Sequence, residues 1–280
     1  MMSNVFALFT MRAKRRYSKE VEELKAGVFL FNGFVSNPYL ITGDKMVVVD
    51  VSGPSAAEKI VAFVEQELKR KRTDIALITA THFHIDHIGG IDVLKKLTSA
   101  QLAFHPLVRE YLAGRKIKYP PLKKWIRGLL PVWRSQAFSL PSIRDVLRAP
   151  IAGYPILKNR IDSSVDFWLG DGDPLPASPE WRVIHTPGHS EDSICFYNQN
   201  NEILLSGDTV LNVTGRGELN PFHNDHQALL NSYERLKGLK VRNLYPAHGR
   251  TLEKENLWKE VITDTELRMK AILKWRMQNR

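Results

Sequence analysis

Cysteine is almost absent: Cys195 is the single one in 280 residues. No intramolecular disulfide can form, which suits a reducing, cytoplasmic setting. A Cys-rich zinc site is excluded too, so any metal has to be held by histidine and carboxylate. No run reaches the roughly 18 apolar residues that span a bilayer. The apolar stretch from Val28 to Ile41 is broken by Asn32-Gly33 and Asn37-Pro38 and reads as strands. No export signal is expected, because the mildly apolar start, Met1 to Thr10, precedes Arg12, Lys14, Arg15 and Arg16, whereas a secretory signal carries its positive charge first. Acidic residues are in deficit, 30 against 40 Lys and Arg, for a formal net charge of +10.

That excess is local. Between Pro106 and Asp162, twelve basic residues face only Glu110, Asp145 and Asp162. Within it, Trp125, Ile126, Leu129, Leu130, Val132 and Trp133 interleave with Lys123, Lys124, Arg127 and Arg134. The segment 116–161 therefore reads as a basic, largely helical, cap-like insertion in a single domain spanning 1–280. Four readings of it stand: a helix with a solvated basic face, a lid for an amphiphilic, anionic small molecule, an element on a membrane surface, or a nucleic-acid groove. Oligomeric state is left open.

What is plentiful is α/β alternation. Hydrophobic content of 43% and charged content of 25% are those of a globular chain. Met46 to Val49 is a buried-strand run ending in Asp50, and Pro54 opens a helix that carries Ala57, Ile60, Val61, Val64 and Leu68 to about Arg70. Ile75–Ala80, Gln101–His105, Trp181–His185, Ser193–Tyr197, Glu202–Leu205 and Val241–Tyr245 read as strands. Helices are expected at Ile91–Leu97, at Asn224–Lys237 and along the tail from Glu253, with Trp258, Ile262, Met269 and Ile272 near one face.

Metal-competent side chains repeatedly follow a strand. His82, His84, Asp86 and His87 fall within six positions and are followed by Gly89-Gly90. In an extended loop a period near two sends His82, His84 and Asp86 to one side and leaves His87 pointing elsewhere, toward a second ion. Five of the nine histidines lie in this cluster and in two later motifs, too dense a set for incidental loop residues.

Thr81-His82-Phe83-His84-Ile85-Asp86-His87 resembles the signature of the metallo-β-lactamase superfamily. Asp50 resembles its first motif, His185-Thr186-Pro187-Gly188-His189-Ser190 its third, Ser206-Gly207-Asp208-Thr209 its fourth and Pro246-Ala247-His248-Gly249 its fifth, all in the family's order. The resemblance implies an αββα sandwich. It also implies one metal on His82, His84 and His189, a second on Asp86, His87 and His248, and Asp208 bridging them. Two divalent ions would share a water, lower its pKa and provide a bridging hydroxide that attacks a carbonyl or phosphoryl centre, with Asp86 also shuttling its proton. Nitrogen and oxygen donors without thiolate fit zinc first, with iron or manganese as alternatives.

β-Lactam hydrolysis is disfavoured, because relatives with that activity generally lack the bridging aspartate. The pattern is more similar to glyoxalase II and acyl-lactone hydrolases, which points to an ester, thioester or lactone. Gly215-Arg216 only echoes the glycine-arginine loop of the former. Leu211 stands where the lactonases carry a catalytic tyrosine, although Gln227–Leu236 resembles one of their helices. A phosphodiesterase or RNA-processing nuclease, and a mono-iron sulfur dioxygenase, are the alternatives. Of the remaining candidates, His105 reads as core or loop filler and His185 as a hydrogen-bonding support or a structural residue. His223 and His226 are candidates for substrate or proton contact, and Cys195 is read as a buried inert thiol.

Overall fold

The computed structural model describes residues 21–32, 36–119, 160–213 and 215–263. Period-two alternation decides the architecture. In β4 (Met46–Val49), Val47 and Val49 enter one hydrophobic cluster while Met46 and Val48 enter another. All four side chains are buried, so the strand has a covered layer on each face.

The first sheet runs in chain order, β1 (Val21–Glu23), β2 (Val28–Phe31), β3 (Tyr39–Ile41), β4, β5 (Ile75–Thr79), β6 (Gln101–Phe104) and β7 (Phe167–Trp168). Its first three pairings are antiparallel and its last three parallel. The parallel crossovers carry α1 (Pro54–Gln66), the single turn α2 (Ile85–Ile88), α3 (Ile91–Thr98) and α4 (Val108–Leu112). Pro54 occupies the first turn of α1, as its fixed φ favours. Ala57, Ile60, Val61 and Val64 of α1 and Ile91 and Leu94 of α3 cover the outer face.

The second sheet is built from β8 (Pro174–Leu175), β9 (Ser178–His185), β10 (Ile194–Asn198) and β11 (Ile203–Gly207), with β14 (Asn243–Pro246) and β15 (Leu252–Glu253) on the other side of β11. A two-stranded ribbon, β12 (Val210–Leu211) and β13 (Glu218–Leu219), stands apart. Leu229, Tyr233 and Leu236 of α5 (His226–Lys237) pack on the outer face. Between the sheets, Val28, Tyr39, Val47 and Leu77 meet Trp181, Val183, Phe196 and Tyr245. The layers are α, β, β, α, the expected sandwich.

Three expectations need correction or restriction. The first helix stops at Gln66, short of Arg70. The chain after Glu253 is not helical as far as it is described. Leu252–Glu253 pairs with β14, Leu257–Lys259 forms one 3₁₀ turn and Ile262 bridges to Glu218. Tertiary contacts override the helical spacing: Leu257 is buried beside α5, and the Trp258 indole donates to the Leu239 carbonyl at 2.9 Å. Met269 and Ile272 lie outside the described residues, as does all of the 116–161 insertion except its two ends. No helix among the described residues is long and apolar enough to cross a membrane.

Trp181 is 1% exposed, the largest fully buried side chain between the sheets. Trp181→Ala should lower unfolding free energy by about 3–5 kcal/mol. A denaturant titration showing less than about 1 kcal/mol would place the core elsewhere.

Candidate metal centre

Strand direction gathers the donors. β4 and β5 are parallel, as are β11 and β14, and β9 and β11 both run antiparallel to β10. The loops that leave β5, β9, β11 and β14 carry the Thr81–His87 segment, His189, Asp208 and His248 to one edge of the sandwich. Close backbone approach fixes two of these loops. At Gly90 a Cβ would lie 2.2 Å from the Gly53 carbonyl oxygen, and at Gly188, with φ +142°, 2.4 Å from Leu229 Cα on α5.

Three overlapping groups of donors result, each with its atoms within 4.8 Å: His82, His84 and His189; His82, His87 and Asp208; and Asp86, His87 and His248. His84 Nδ1 lies 3.0 Å from His82 Nε2 and 3.1 Å from His189 Nε2. Asp86 Oδ2 is 3.5 Å from both His87 Nε2 and His248 Nε2. Asp208 stands between the groups. Its Oδ2 is 3.4 Å from His189 Nε2, and its Oδ1 is 3.3 Å from His248 Nε2 and 3.8 Å from His87 Nε2.

One spacing argument fails here. Asp86 does not side with His82 and His84; it groups with its neighbour His87. The extended conformation ends at His84, with φ −86° and ψ 150°, and Ile85–Ile88 is a helical turn, so the period of two no longer applies.

The donor set fits cations. His87 Nε2 and Asp208 Oδ1 are buried and have no hydrogen-bond partner. Leaving such atoms unpaired costs about 1–3 kcal/mol each, and a cation between them removes that cost. The electrostatics divide the centre. Burial, then the neighbouring imidazoles, pushes His82 well below its ordinary pKa and His84 down to about 3. Burial likewise lowers His189, against the pull of Asp208. Burial also disfavours charge on His87 and His248, but the carboxylates outweigh it: Asp86 and Asp50 raise His87, and Asp208 and Asp86 raise His248.

Hydrogen bonds orient the donors from behind. Asp50, in the left-handed region at φ 62°, accepts from the Thr81 amide at 2.8 Å and pairs with His87 Nδ1 at 3.0 Å, which turns His87 Nε2 inward. His189 Nδ1 is paired with the Phe222 carbonyl. Asn220 donates to the Asp208 carbonyl at 2.7 Å and accepts from the Phe222 amide at 2.8 Å. Asp192 accepts from the Phe83 amide at 2.7 Å, between the two histidines of the loop. Ser36 donates to the Asp86 carbonyl, and Asn37 donates to the Gly249 carbonyl at 2.9 Å. Sequence reasoning missed Ser36, Asn37, Asp192 and Asn220, because no spacing rule marks a contact made across loops.

The other histidines stay outside the donor groups. His105 and His185 stack with centroids 4.2 Å apart, and burial, then His185, lowers His105 to about 4. His185 Nε2 also pairs with the Glu191 carbonyl at 2.8 Å, bracing the loop that holds His189. His223 and His226 pack on each other at 4.8 Å. Cys195 is fully buried and its thiol is pushed up to about 11 by burial, which makes it inert.

A pH dependence follows for chelator-treated protein. His87 and His248 have folded pKa values above the unfolded ~6.5, so their contribution is complete below ~6.5 and is lost as pH rises through the folded values. His82, His84 and His189 have lowered values, so they remove stability as pH falls below ~6.5, where the unfolded chain binds protons that the folded chain refuses. The melting temperature of the chelated protein should therefore peak near pH ~6.5, and added zinc should raise it most above that pH, where fewer protons compete. A melting temperature that climbs steadily from pH ~6 to ~9 without metal would contradict this assignment.

Comparison with known proteins agrees with the geometry. The family model of the metallo-beta-lactamase superfamily matches residues 31–248. Beta-lactamase-like protein 2 homolog of Caenorhabditis elegans is 26% identical over 232 residues, covering 81% of this chain and 60% of that protein, so the chain spans under two thirds of its length. A hydroxyacylglutathione hydrolase of Bdellovibrio bacteriovorus is 27% identical over 224 residues, covering 78% of this chain and 64% of the relative. The crystal structure of TTHA1623 in a di-iron-bound form shares the fold, with a TM-score of 0.54 and 23% identity over 81% of this chain and 93% of that one. With the family match running from β2 to the last donor, His248, the chain belongs to the metallo-β-lactamase superfamily.

Proposed function

We propose that this chain is a hydrolase that holds two divalent ions and cleaves an ester, thioester or lactone, thioesters foremost. The observation that carries the reading is Asp208, whose two oxygens face two different groups of buried donors. His82, His84 and His189 would hold one ion, Asp86, His87 and His248 the other, and Asp208 both. Zinc fits these donors best, and iron or manganese fits them as well. The relative from Bdellovibrio bacteriovorus is a hydroxyacylglutathione hydrolase, and its named substrate is a thioester.

Bound ions would supply an activated water and a Lewis acid for the substrate carbonyl. The chain's own part is orientation and proton transfer. His87 and His189 each have one ring nitrogen engaged from behind, by Asp50 and by the Phe222 carbonyl, so only the other faces the reaction. Asp86, whose Oδ2 lies 3.5 Å from His87 Nε2 and His248 Nε2, would take the proton of the attacking water. In the overall reaction the acyl carbon gains the water's oxygen, its bond to sulfur or oxygen breaks, and the departing thiolate or alkoxide accepts a proton. The donors are all at most 9% exposed, so bulk water does not compete from the rear.

Protein purified with zinc present should contain about two metal equivalents per chain. Asp208→Ala should lower hydrolysis at least about 100-fold, while His105→Ala and His223→Ala lower it less than about 5-fold. Equal activity of Asp208→Ala and His105→Ala would remove the bridging role. One tightly held iron with no second site would favour the dioxygenase alternative. Turnover of phosphodiesters but of no acyl substrate would favour the nuclease.

A further inference from the structure

After Asp208 the chain makes a detour. It leaves the donor as β12 and comes back as β13, whose register sets Leu219 opposite Val210. The next residue, Asn220, therefore returns beside the donor, and its main-chain amide donates to the Thr209 carbonyl at 3.2 Å. The Asn220 side chain is buried with it, at 1% exposure.

The two ends of that side chain are told apart by their partners. One end lies 2.7 Å from the Asp208 carbonyl, which only accepts, so it is the nitrogen. The other lies 2.8 Å from the Phe222 amide, which only donates, so it is the oxygen. The oxygen closes an Asx turn onto the amide two residues on, and the turn presents the Phe222 carbonyl to His189 Nδ1. Because a carbonyl accepts, Nδ1 carries the proton. The lone pair of His189 is then left on Nε2, 3.4 Å from Asp208 Oδ2. The nitrogen end has a second hydrogen, with Asp208 Oδ2 at 3.3 Å and His189 Nδ1 at 3.1 Å. Nδ1 is itself a donor, so this hydrogen goes to Asp208 Oδ2.

We infer that Asn220 is a positioning residue that couples two donors: its oxygen sets the tautomer of His189, and its nitrogen sets the rotation of the Asp208 carboxylate. Holding Oδ2 leaves Oδ1, which is buried without a hydrogen-bond partner, directed at His248 Nε2, 3.3 Å away. Neither donor can then turn without breaking a bond that also serves the other. A buried asparagine with a purely structural task stands at the far end of β10. Asn198 is 2% exposed, and its oxygen accepts from the Asn201 amide at 3.1 Å to close the hairpin into β11. The inference rests on the reading of these donors as a centre for two ions.

Two measurements separate the inference from that reading. Zinc affinity of wild type, Asn220→Ala, Asn220→Asp and Asn198→Ala is measured by competition with a chromophoric chelator. Histidine ring N–H signals are recorded by NMR with and without zinc, the His189 signal being identified by its absence from His189→Ala. Asn220→Ala should bind zinc about 10–100-fold more weakly and lose the His189 Nδ1–H signal. Asn220→Asp has the same size and keeps the acceptor for Phe222, but it offers Asp208 a repelling carboxylate in place of a donor. It should keep the ring signal and still bind zinc at least about tenfold more weakly, and it carries the test if Asn220→Ala does not fold. Asn198→Ala should lower the melting temperature and leave both readouts at wild-type values. Wild-type zinc affinity in either Asn220 variant overturns the inference. So does the ring signal persisting in Asn220→Ala or vanishing from Asn220→Asp, and so does an equal loss of zinc affinity in Asn198→Ala. If wild type holds fewer than two ions, the two-ion reading is what has failed. The zinc-free ring signal then decides on Asn220: its loss from Asn220→Ala alone upholds the hold on His189, and the same spectrum in both proteins overturns it.

Discussion

Five imidazoles and two carboxylates share one buried volume, and such crowding is unfavourable unless the groups are neutral, paired or bound to cations. Much of the structure holds them there. Parallel pairing of β4 with β5 and of β11 with β14 brings strand ends to one edge. Asp50, Asp192, Asn220, the Phe222 carbonyl and Asn37 then hold the loops from behind. The glycines are set by the same crowding, since at Gly188 and Gly90 a side chain would push a donor loop off its support.

The crowding is relieved differently in its two halves. Around His84, burial disfavours charge on three imidazoles whose ring nitrogens approach one another. Around Asp86, the carboxylates favour charge on His87 and His248 against the cost of burial. Neutral nitrogens are ready ligands, whereas charged ones must first release a proton. Protons therefore compete with a cation more at the second group than at the first.

The layers were legible in the sequence because strand alternation is a local rule, and the candidate donors because a family resemblance marked them and they follow strands. Val47 and Val49 alternate with Met46 and Val48, and each set enters its own core. The donors follow strands, where a sheet edge collects them. Legibility ended where contacts are made at a distance. Asp192 reaches the Phe83 amide across 109 residues, and nothing in the Ser190–Ser193 run marks it. The turn at Ile85–Ile88 broke the period-two argument for Asp86, since four residues are too few to carry a helical signature. The tail as far as residue 263 shows the converse: its spacing is helical, but pairing with β14 and packing on α5 decide its form there.

Because each donor loop is held by another, a substitution among them disturbs binding of the ions before it alters choice of substrate. Selectivity is better placed on chain that touches the donors from outside. Residues 115–119 meet that condition. They contact the donor loops through Glu191, Asn224 and the face of His84, and none of them belongs to a donor group. The rigid sandwich can then stay constant while the chain packed outside the donors changes, which is how one fold serves many substrates. In this chain a tyrosine, Tyr119, lies flat on His84, and the preceding Arg115 and Lys118 are paired with Glu110 and Glu191.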